Sequence, residues 1–409
     1  MKVPCYNCNT VTELEVNFDV VNFVCPKCSS IYIADKNGEL RLRSKFKPTP
    51  PDFALKVGDK GILQGEECTV TGMVVKKIQP SYYWKEYILE TANKKYIYLS
   101  ESKGHWMILK EIEDQYKVSD YPRTIDYEGD YFDLYEYADS TVHTASGFFD
   151  YSLEKARFNT VEYIAPPRII SIEKSNNVQT TFLGEYLPQK EFKKAFPTAA
   201  LPYKWGVSII QSFYFNLKHT GIILCFFALL IFFTDWYIYK DQVKQTVFQK
   251  AITFDQFNNK EITSEPFVLK GGSAPMTIYF STDVSNSWAN VDVTLVDESN
   301  SNEIHASKDI EFYEGFEDGE RWTEGNTSEK FNICGVKQGK YHLLITPMKA
   351  PEDVVNNQMK IKVVWNEPSS RNIWLVIIFM IVVYIAIRLL NYNFEKKRWA
   401  DSSYSRYGS

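Results

Sequence analysis

Two uninterrupted apolar runs stand out from a chain whose hydrophobic residues otherwise alternate with polar ones. They are "GIILCFFALLIFF" from Gly221 to Phe233 and "IWLVIIFMIVVYIAI" from Ile373 to Ile387, and neither carries a charge. Each falls slightly short of the roughly 20 residues that cross a bilayer core, but the flanks extend both. Lys218 and His219 can snorkel below the first, and Arg388 ends the second with Leu389 and Leu390 beyond it. Trp236, Tyr237 and Tyr239 close the first run and Trp374 opens the second, where an interfacial belt of aromatic rings would sit. The pattern predicts transmembrane helices at 217–239 and 372–391. The segment between them then lies on one side of the membrane and both termini on the other.

Outside these runs the hydrophobic period is two. "GILQGEECTVTGMVV" carries Ile62, Leu63, Cys68, Val70, Met73 and Val74 between glycines at turn positions, and "YILETANKKYIYLS" reads as a hairpin around "TANKK". Cys68 reads as a small core residue of a strand. A weak internal echo follows, in which "GEECTVTG", "WKEYILE" and "IYLSESKGHW" correspond in order to "GDYFDLYE", "VEYIAPP" and "IISIEKSNN". Residues 53–187 are therefore expected to form a barrel- or roll-like β domain, built from two copies of a small β unit that each close alone or share one core. Between the apolar runs, "PFVLK", "MTIYFST", "ANVDVTLVD", "FNICGV", "KYHLLITP" and "MKIKVVW" recur as short strands, which predicts an antiparallel β-sandwich over 250–366. The prolines of "KPTPPDF" (Lys47 to Phe53) and "AFPTAALPYKWG" (Ala195 to Gly206) mark linkers. "PQKEFKKAF" suggests a short helix within a juxtamembrane linker at 188–212, and 392–409 reads as a short basic tail.

Cysteine spacing changes the picture at the N-terminus. Cys5 and Cys8, then Cys25 and Cys28, form two C-x2-C pairs, while Cys68, Cys225 and Cys334 stand alone. Each pair can turn two thiolates toward one ion, and the intervening segment supplies strands that bring the turns together. A further strand follows, with a turn at Asn37 and Gly38. This predicts a zinc ribbon over 1–44. Four thiolates would fill tetrahedral zinc and leave no open position, so the metal is expected to be structural. The uneven distribution is not that of a secreted disulfide scaffold and suits a reducing compartment. Met1 and Lys2 lead straight to Cys5, so no signal peptide is expected. The fold class expected is mainly β: zinc ribbon, cytosolic barrel, and two helices flanking an extracytoplasmic sandwich.

The formal net charge is -5, which argues against a chain devoted to binding nucleic acid. The ribbon carries Glu13, Glu15 and Asp19 between its cysteine pairs and no Lys or Arg. "RLRSKFK" (Arg41 to Lys47) reads as a solvated linker.

The order of "VGDKG", "TVTG", "YWKEYILE", "SKGHW", "YEGDYFDL", "SGFFDY", "EYIAPPRIISIE" and "LGEYL" resembles the bacterial family known as domain of unknown function 4178, over about Phe53 to Leu187. The resemblance implies a mainly β cytosolic domain, often beside a zinc ribbon and sometimes fused to membrane segments, with no settled activity. It also implies an association with genes of polyamine-like metabolism and membrane stress. One departure is visible. Where relatives tend to carry Gly-Glu-Phe or Gly-Glu-Val, this chain has "SGFFDY", and Phe148 replaces the acid.

Trp84, Glu86, Tyr87, His105 and Trp106 form the most conspicuous polar and aromatic set. Glu86 and His105 would make an acid-base pair in a cleft, since histidine titrates near neutrality and a carboxylate can orient it. Without a nucleophile signature or a phosphate-cradling loop, the plainer reading is that the aromatics pack a core and the two polar residues complete turns. In the outer segment, "EFYEGFEDGERWTEG" concentrates Glu311, Glu314, Glu317, Asp318, Glu320 and Glu324 in an expected loop. Calcium could use its oxygens, or a cationic or carbohydrate ligand could stack on Tyr313 and Trp322, although the order does not match the twelve-residue calcium loop.

Two function classes follow. One is a membrane-anchored sensor or adaptor, with an envelope ligand outside and protein partners at the membrane. The other is an enzyme or small-molecule module, polyamine-like in its ligand, with a cleft in the β domain. A transporter is disfavoured because two spans without an internal charge offer no pathway outside a homo-oligomer. Lys396, Lys397 and Arg398 mark a cytoplasmic end, and the reduced cysteines place the N-terminus with it in a bacterial cytoplasmic membrane, leaving residues 240–371 outside. A reporter active only outside the cytoplasm is expected to work when fused after Gly272 and to be silent after Ser409; the reverse pattern would overturn this topology.

Overall fold

The period-two segments fold as antiparallel strands in a computed structural model that describes residues 1–47, 52–78, 82–117, 121–153, 157–175, 178–241, 243–367 and 370–407. Prolines 48, 50 and 51 of the expected first linker lie outside the described residues. The chain divides into two units, Met1–Asn216 with Ile387–Ser409, and Leu217–Ala386.

The first unit opens with β1 (Lys2–Pro4), β2 (Val11–Glu13), β3 (Asn22–Val24), β4 (Ser30–Ala34), β5 (Leu40–Lys45) and β6 (Lys60–Leu63). There follow β7 (Glu66–Ile78), β8 (Tyr82–Thr91), β9 (Tyr96–Ser102), β10 (His105–Ile112) and β11 (Thr124–Tyr127). The last are β12 (Asp130–Phe149), β13 (Arg157–Ala165), β14 (Arg168–Ser175), β15 (Val178–Leu187) and helix α1 (Gln189–Ala195). Eight strands close into a barrel in the order β7, β8, β9, β10, β15, β14, β13, β12 and back to β7. The barrel is two four-stranded meanders. They pair through their last strands, β10 with β15, and through their first, β12 with β7. The segments of the sequence echo fall on corresponding strands, and the two halves share one barrel.

Closure depends on glycine. Gly72 and Gly147 face each other in register where β12 meets β7. A Cβ on Gly147, whose φ is +106°, would lie 2.4 Å from the Thr71 carbonyl oxygen, and one on Gly72 would lie 2.9 Å from that of Phe148. Past this crossing β12 continues onto β3, pairing Gly147 with Val24 and Phe148 with Phe23. The N-terminal segment expected as a ribbon is continuous with the barrel through its sheet, which β5, β4 and β3 extend. Phe148, the residue that replaces an acid, is buried with its ring 4.8 Å from that of Phe23 and belongs to the ribbon's core. The basic run expected as a linker is mostly β5, an edge strand with exposed side chains.

Tyr87, Leu89, Leu99, Trp106 and Ile108 point outward from the barrel, and α1 covers them. The Phe192 ring stacks on Trp106 with centroids 3.9 Å apart, and Phe196 and Ala199 extend the cover. Each such side chain contributes about 1.5–3 kcal/mol by leaving water. The proline-marked segment after α1 is thus a strap. Gln189 donates to the Gly104 and Pro202 carbonyls at 2.9 and 2.8 Å, and Ile210 is fully buried. Cys68 is buried in β7, as expected.

In the second unit helix α2 (Leu217–Tyr239) precedes β16 (Gln245–Thr253), the one-turn helix α3 (Phe254–Phe257), β17 (Ile262–Thr263), β18 (Phe267–Leu269), β19 (Ala274–Thr282) and β20 (Ser287–Asp297). Then come β21 (Glu303–Glu317), β22 (Glu320–Gly325), β23 (Ser328–Val336), β24 (Gly339–Lys349), β25 (Gln358–Trp365) and helix α4 (Arg371–Arg398). One sheet runs β16-β25-β19-β23 and the other β17-β24-β20-β21-β22, with β18 also on β24. Met276, Ile278, Val291, Leu343 and Ile361 fill the core between them.

The acidic segment is not a loop but the hairpin of β21 and β22, which turns at Asp318 and Gly319, both at positive φ. Its acids are strung along two strands, with Glu314 paired to Arg321. No three of them bring ligand oxygens together, because among the described residues only the N-terminal cysteines form such a group. The calcium reading loses its loop.

Helix α2 has no buried residue, and both helices are long and apolar enough to cross a membrane. They lie antiparallel: Phe232 and Trp374 have ring centroids 6.0 Å apart, and the Tyr384 ring passes Gly221.

Candidate functional site

Alternate residues of every strand in a closed barrel point inward, and here the inward rows carry charge. They include Lys76 on β7, Trp84 and Glu86 on β8, His105 on β10, Thr160 and Glu162 on β13, and Glu173 on β14, around a cavity of about 880 Å3. Tyr98, Tyr151, Phe158 and Phe182 add aromatic faces. A volume in this range suits a small organic molecule.

Lys76 is the electrostatic centre. Its Nζ lies 2.6 Å from Glu173 Oε1, 3.0 Å from Glu86 Oε2 and 4.4 Å from the centre of the Phe158 ring. Trp84 Nε1 donates to Glu86 Oε1 at 2.6 Å. Burial works against the ammonium, but Glu173 and Glu86 more than offset it and hold Lys76 above the ordinary lysine range. One cation thus serves two carboxylates.

Glu162 stands differently. In register it lies opposite Glu136 on β12 and Ser171 on β14, and among the described residues it has no ion-pair partner. Burial first, then the Glu136, Glu173 and Glu86 charges, push its carboxyl up to about 7, against a smaller opposing pull from Lys76.

His105 Nδ1 lies 3.1 Å from Tyr186 Oη, and burial, followed by the Lys204 ammonium, keeps the ring below its ordinary range. His105 Nε2 and Thr160 Oγ1 are buried and have no protein partner among the described residues. Both residues line the cavity.

Glu86 and His105 therefore share a cavity but do not act on each other: the first is held by Lys76 and Trp84, the second by Tyr186. Nor do their side chains complete turns. Tyr87 and Trp106 are core residues on the outer face, as the plainer reading has it. Lys76, Thr160, Glu162 and Glu173 were not singled out by sequence, although a signal for Glu162 existed. The echo sets "VEYIAPP" against "WKEYILE", and Glu162 and Tyr163 repeat the inward acid and outward tyrosine of Glu86 and Tyr87.

One mouth of the cavity is capped by the end of the chain. Arg398, expected as a surface charge, is 2 % exposed. It donates to the carbonyls of Ser208, Ile209 and Gln211 at 3.3, 2.7 and 2.6 Å, and pairs with Glu395. Trp399 packs on Tyr135, whose hydroxyl donates to the Arg398 carbonyl at 3.0 Å. Ser403 N donates to Glu136 Oε2 at 2.9 Å, and Asp401 pairs with Lys103 at 2.9 Å. Arg398, Asp401 and Ser403 all line the cavity.

The four N-terminal cysteines form a second centre. Their sulfurs lie within 4.8 Å of one another, with Cys5 to Cys28 at 3.5 Å and Cys8 to Cys25 at 3.6 Å. Tetrahedral thiolates around zinc stand about 3.8 Å apart, from Zn–S bonds of about 2.3 Å. The two turns match: Asn9 N donates to Cys5 O at 2.8 Å and Ser29 N to Cys25 O at 2.9 Å, with φ of 58° at both Asn9 and Ser29. The Tyr32 hydroxyl donates to Cys5 Sγ at 3.3 Å. This set could hold a metal ion.

Residues 56–189 match the family described as Domain of unknown function (DUF4178), and the match spans the whole barrel with the start of α1. No curated protein matches the chain. Solved structures that align include an infectious bursal disease virus Gt strain protein at 8% identity and TM-score 0.19, covering 86% of this chain and 67% of that one. Another is PNGF-II, at 7% identity and TM-score 0.19, covering 73% and 67%. Likenesses this slight carry no argument.

Glu162 generates a pH dependence whose sign is fixed. Its carboxyl titrates near 7 in the folded barrel and near 4.5 in an unfolded chain, so the stability it adds is full below about 4.5 and lost as pH rises through about 7. Glu162→Gln is expected to stabilise the barrel at pH 8 by up to about 3 kcal/mol and to change little at pH 4.5. Thermal unfolding in detergent at both pH values checks this, and equal shifts would refute it.

Proposed function

We propose that this chain is a membrane-anchored sensor or adaptor whose barrel binds a small molecule and relays its presence along the second apolar helix. In this reading both apolar helices cross a bacterial cytoplasmic membrane, the barrel and both termini are cytoplasmic, and the sandwich meets an envelope component outside. The observation that carries it is the chain end: the residues following the helix run on without a break into the cap of the cavity, where Arg398, Asp401 and Ser403 would touch an occupant. The antiparallel contact between the two helices supports a hairpin of spans with its ends on one side.

The cysteine centre, in the same reading, holds structural zinc. The ion would staple the turns that carry β3 and β4, and so steady the ribbon against β12 through Phe23 and Phe148. Elemental analysis of the purified protein is expected to find about one zinc per chain, lost in Cys25→Ser; iron in its place would refute the assignment.

Occupancy of the cavity is expected to alter amide exchange across Trp399–Tyr407, and Arg398→Ala to raise exchange there at least tenfold while leaving the sandwich unchanged. A small molecule that binds in the barrel without altering exchange in the cap would remove the sensor reading and leave an anchored binding module.

A further inference from the structure

The charges inside the barrel do not balance, and the imbalance has an address. Lys76 is fully engaged by Glu86 and Glu173, so those two acids already hold an ammonium between them. Glu136 is engaged as well, accepting from the Tyr137 and Ser403 amides. Glu162 is left facing the cavity with no cation within ion-pairing distance among the described residues. A buried carboxylate without a partner costs stability and persists where function uses it. Thr160, two residues from Glu162 on the same inward row, and His105 line the same space, and Thr160 Oγ1 and His105 Nε2 have no protein partner among the described residues.

We propose that the cavity binds a singly charged organic amine, an ammonium on an apolar or aromatic body, with Glu162 as its counter-ion and Thr160 and His105 as polar contacts. This rests on the reading of the cavity as a ligand site and names the class of ligand. The faces of Tyr82, Trp84, Tyr98 and Phe158 suit both parts of such a molecule, since rings attract ammonium groups at their faces and pack apolar bodies. A polyamine fits less well on the side of Lys76, where a second ammonium drawn to Glu86 or Glu173 would meet the lysine that already stands there and be repelled. A neutral or anionic ligand would leave Glu162 uncompensated or oppose it.

Binding then depends on pH, because only the carboxylate pairs with the ammonium. The groups facing Glu162 are Lys76 on β7, Glu86 on β8, Glu136 on β12 and Glu173 on β14, with the Tyr82 and Tyr135 hydroxyls and Asp401 of the cap nearby. Burial first, and then the charges of Glu136, Glu173 and Glu86, keep its proton bound up to about neutral pH, so an ammonium must displace that proton below pH 7.

Titration calorimetry on the full chain in detergent, with 2-phenylethylamine, 2-phenylethanol and spermidine as probes, tests the proposal. The amine is expected to bind at pH 8 at least tenfold more tightly than the alcohol and than spermidine, and about tenfold more weakly at pH 6 than at pH 8. Glu162→Gln is expected to erase the preference for amine over alcohol while leaving alcohol binding intact, which shows that the variant still folds. If the alcohol binds as well as the amine, or spermidine binds better, the cation assignment falls and the cavity remains a ligand site. If neither the amine nor the alcohol binds at millimolar concentration, the ligand-site reading falls with it. The pH profile of the unaltered protein stands as a check that needs no variant.

Discussion

The rest of this structure depends on the parity of the barrel strands. Closing eight strands fixes which residues face in and which face out, and here the inward set mixes charged and aromatic residues with aliphatic ones such as Ile88, Met107 and Leu109, while the outward set is apolar. Tyr87, Trp106 and Ile108 on one side of the wall, and Val161, Tyr163 and Ile170 on another, would be exposed on an isolated barrel. Burying them requires cover, and the chain supplies it with α1, the strap that follows, β11 and the ribbon. The accessory elements are thus consequences of an interior built for charge.

That interior is costly to maintain. Placing Lys76, Glu86 and Glu173 together in a low-dielectric space succeeds because each charge has an opposite one within 3.0 Å, with the Trp84 indole donating to Glu86 and the Phe158 ring facing Lys76. Removing one partner from such a set leaves an uncompensated charge, a loss of about 3–5 kcal/mol in buried pairs. Glu162 shows the other side of this arithmetic, since Lys76 offsets its charge only in part and no cation pairs with it among the described residues. A protein selected for stability alone would place an apolar residue there.

The same parity argument explains the cap. The mouth beside Glu136 and Tyr135 exposes a carboxylate and carbonyls that need donors, and the last turns of the chain bring Ser403 N and the Ser402 hydroxyl to them. Arg398 is spent on three carbonyls of the strap, which fixes the point where the helix meets the barrel. An arginine that composition assigns to the membrane surface therefore acts as a structural pin, because a guanidinium can satisfy several acceptors at once.

The two apolar helices, the sandwich strands, the hairpin at "TANKK", α1 and the cysteine cluster were legible in the sequence, because each rests on local chemistry: length of an apolar run, alternation, turn residues, or ligand spacing. The echo also reported the two meanders that build the barrel. What could not be read was which side of each strand is inside, because a polar row facing a cavity has the same period as one facing water. Glu162, Glu173 and Lys76 look like solvated surface until the sheet closes. The acidic hairpin and the basic strand β5 read as loop and linker in the sequence because charge masks a strand pattern that only pairing enforces. The sequence by itself determined the elements and the cysteine cluster; the tertiary structure alone decided that acids from β8, β12, β13 and β14 would share one cavity with Lys76, since only closure of the sheet brings residues so distant along the chain onto one inward face.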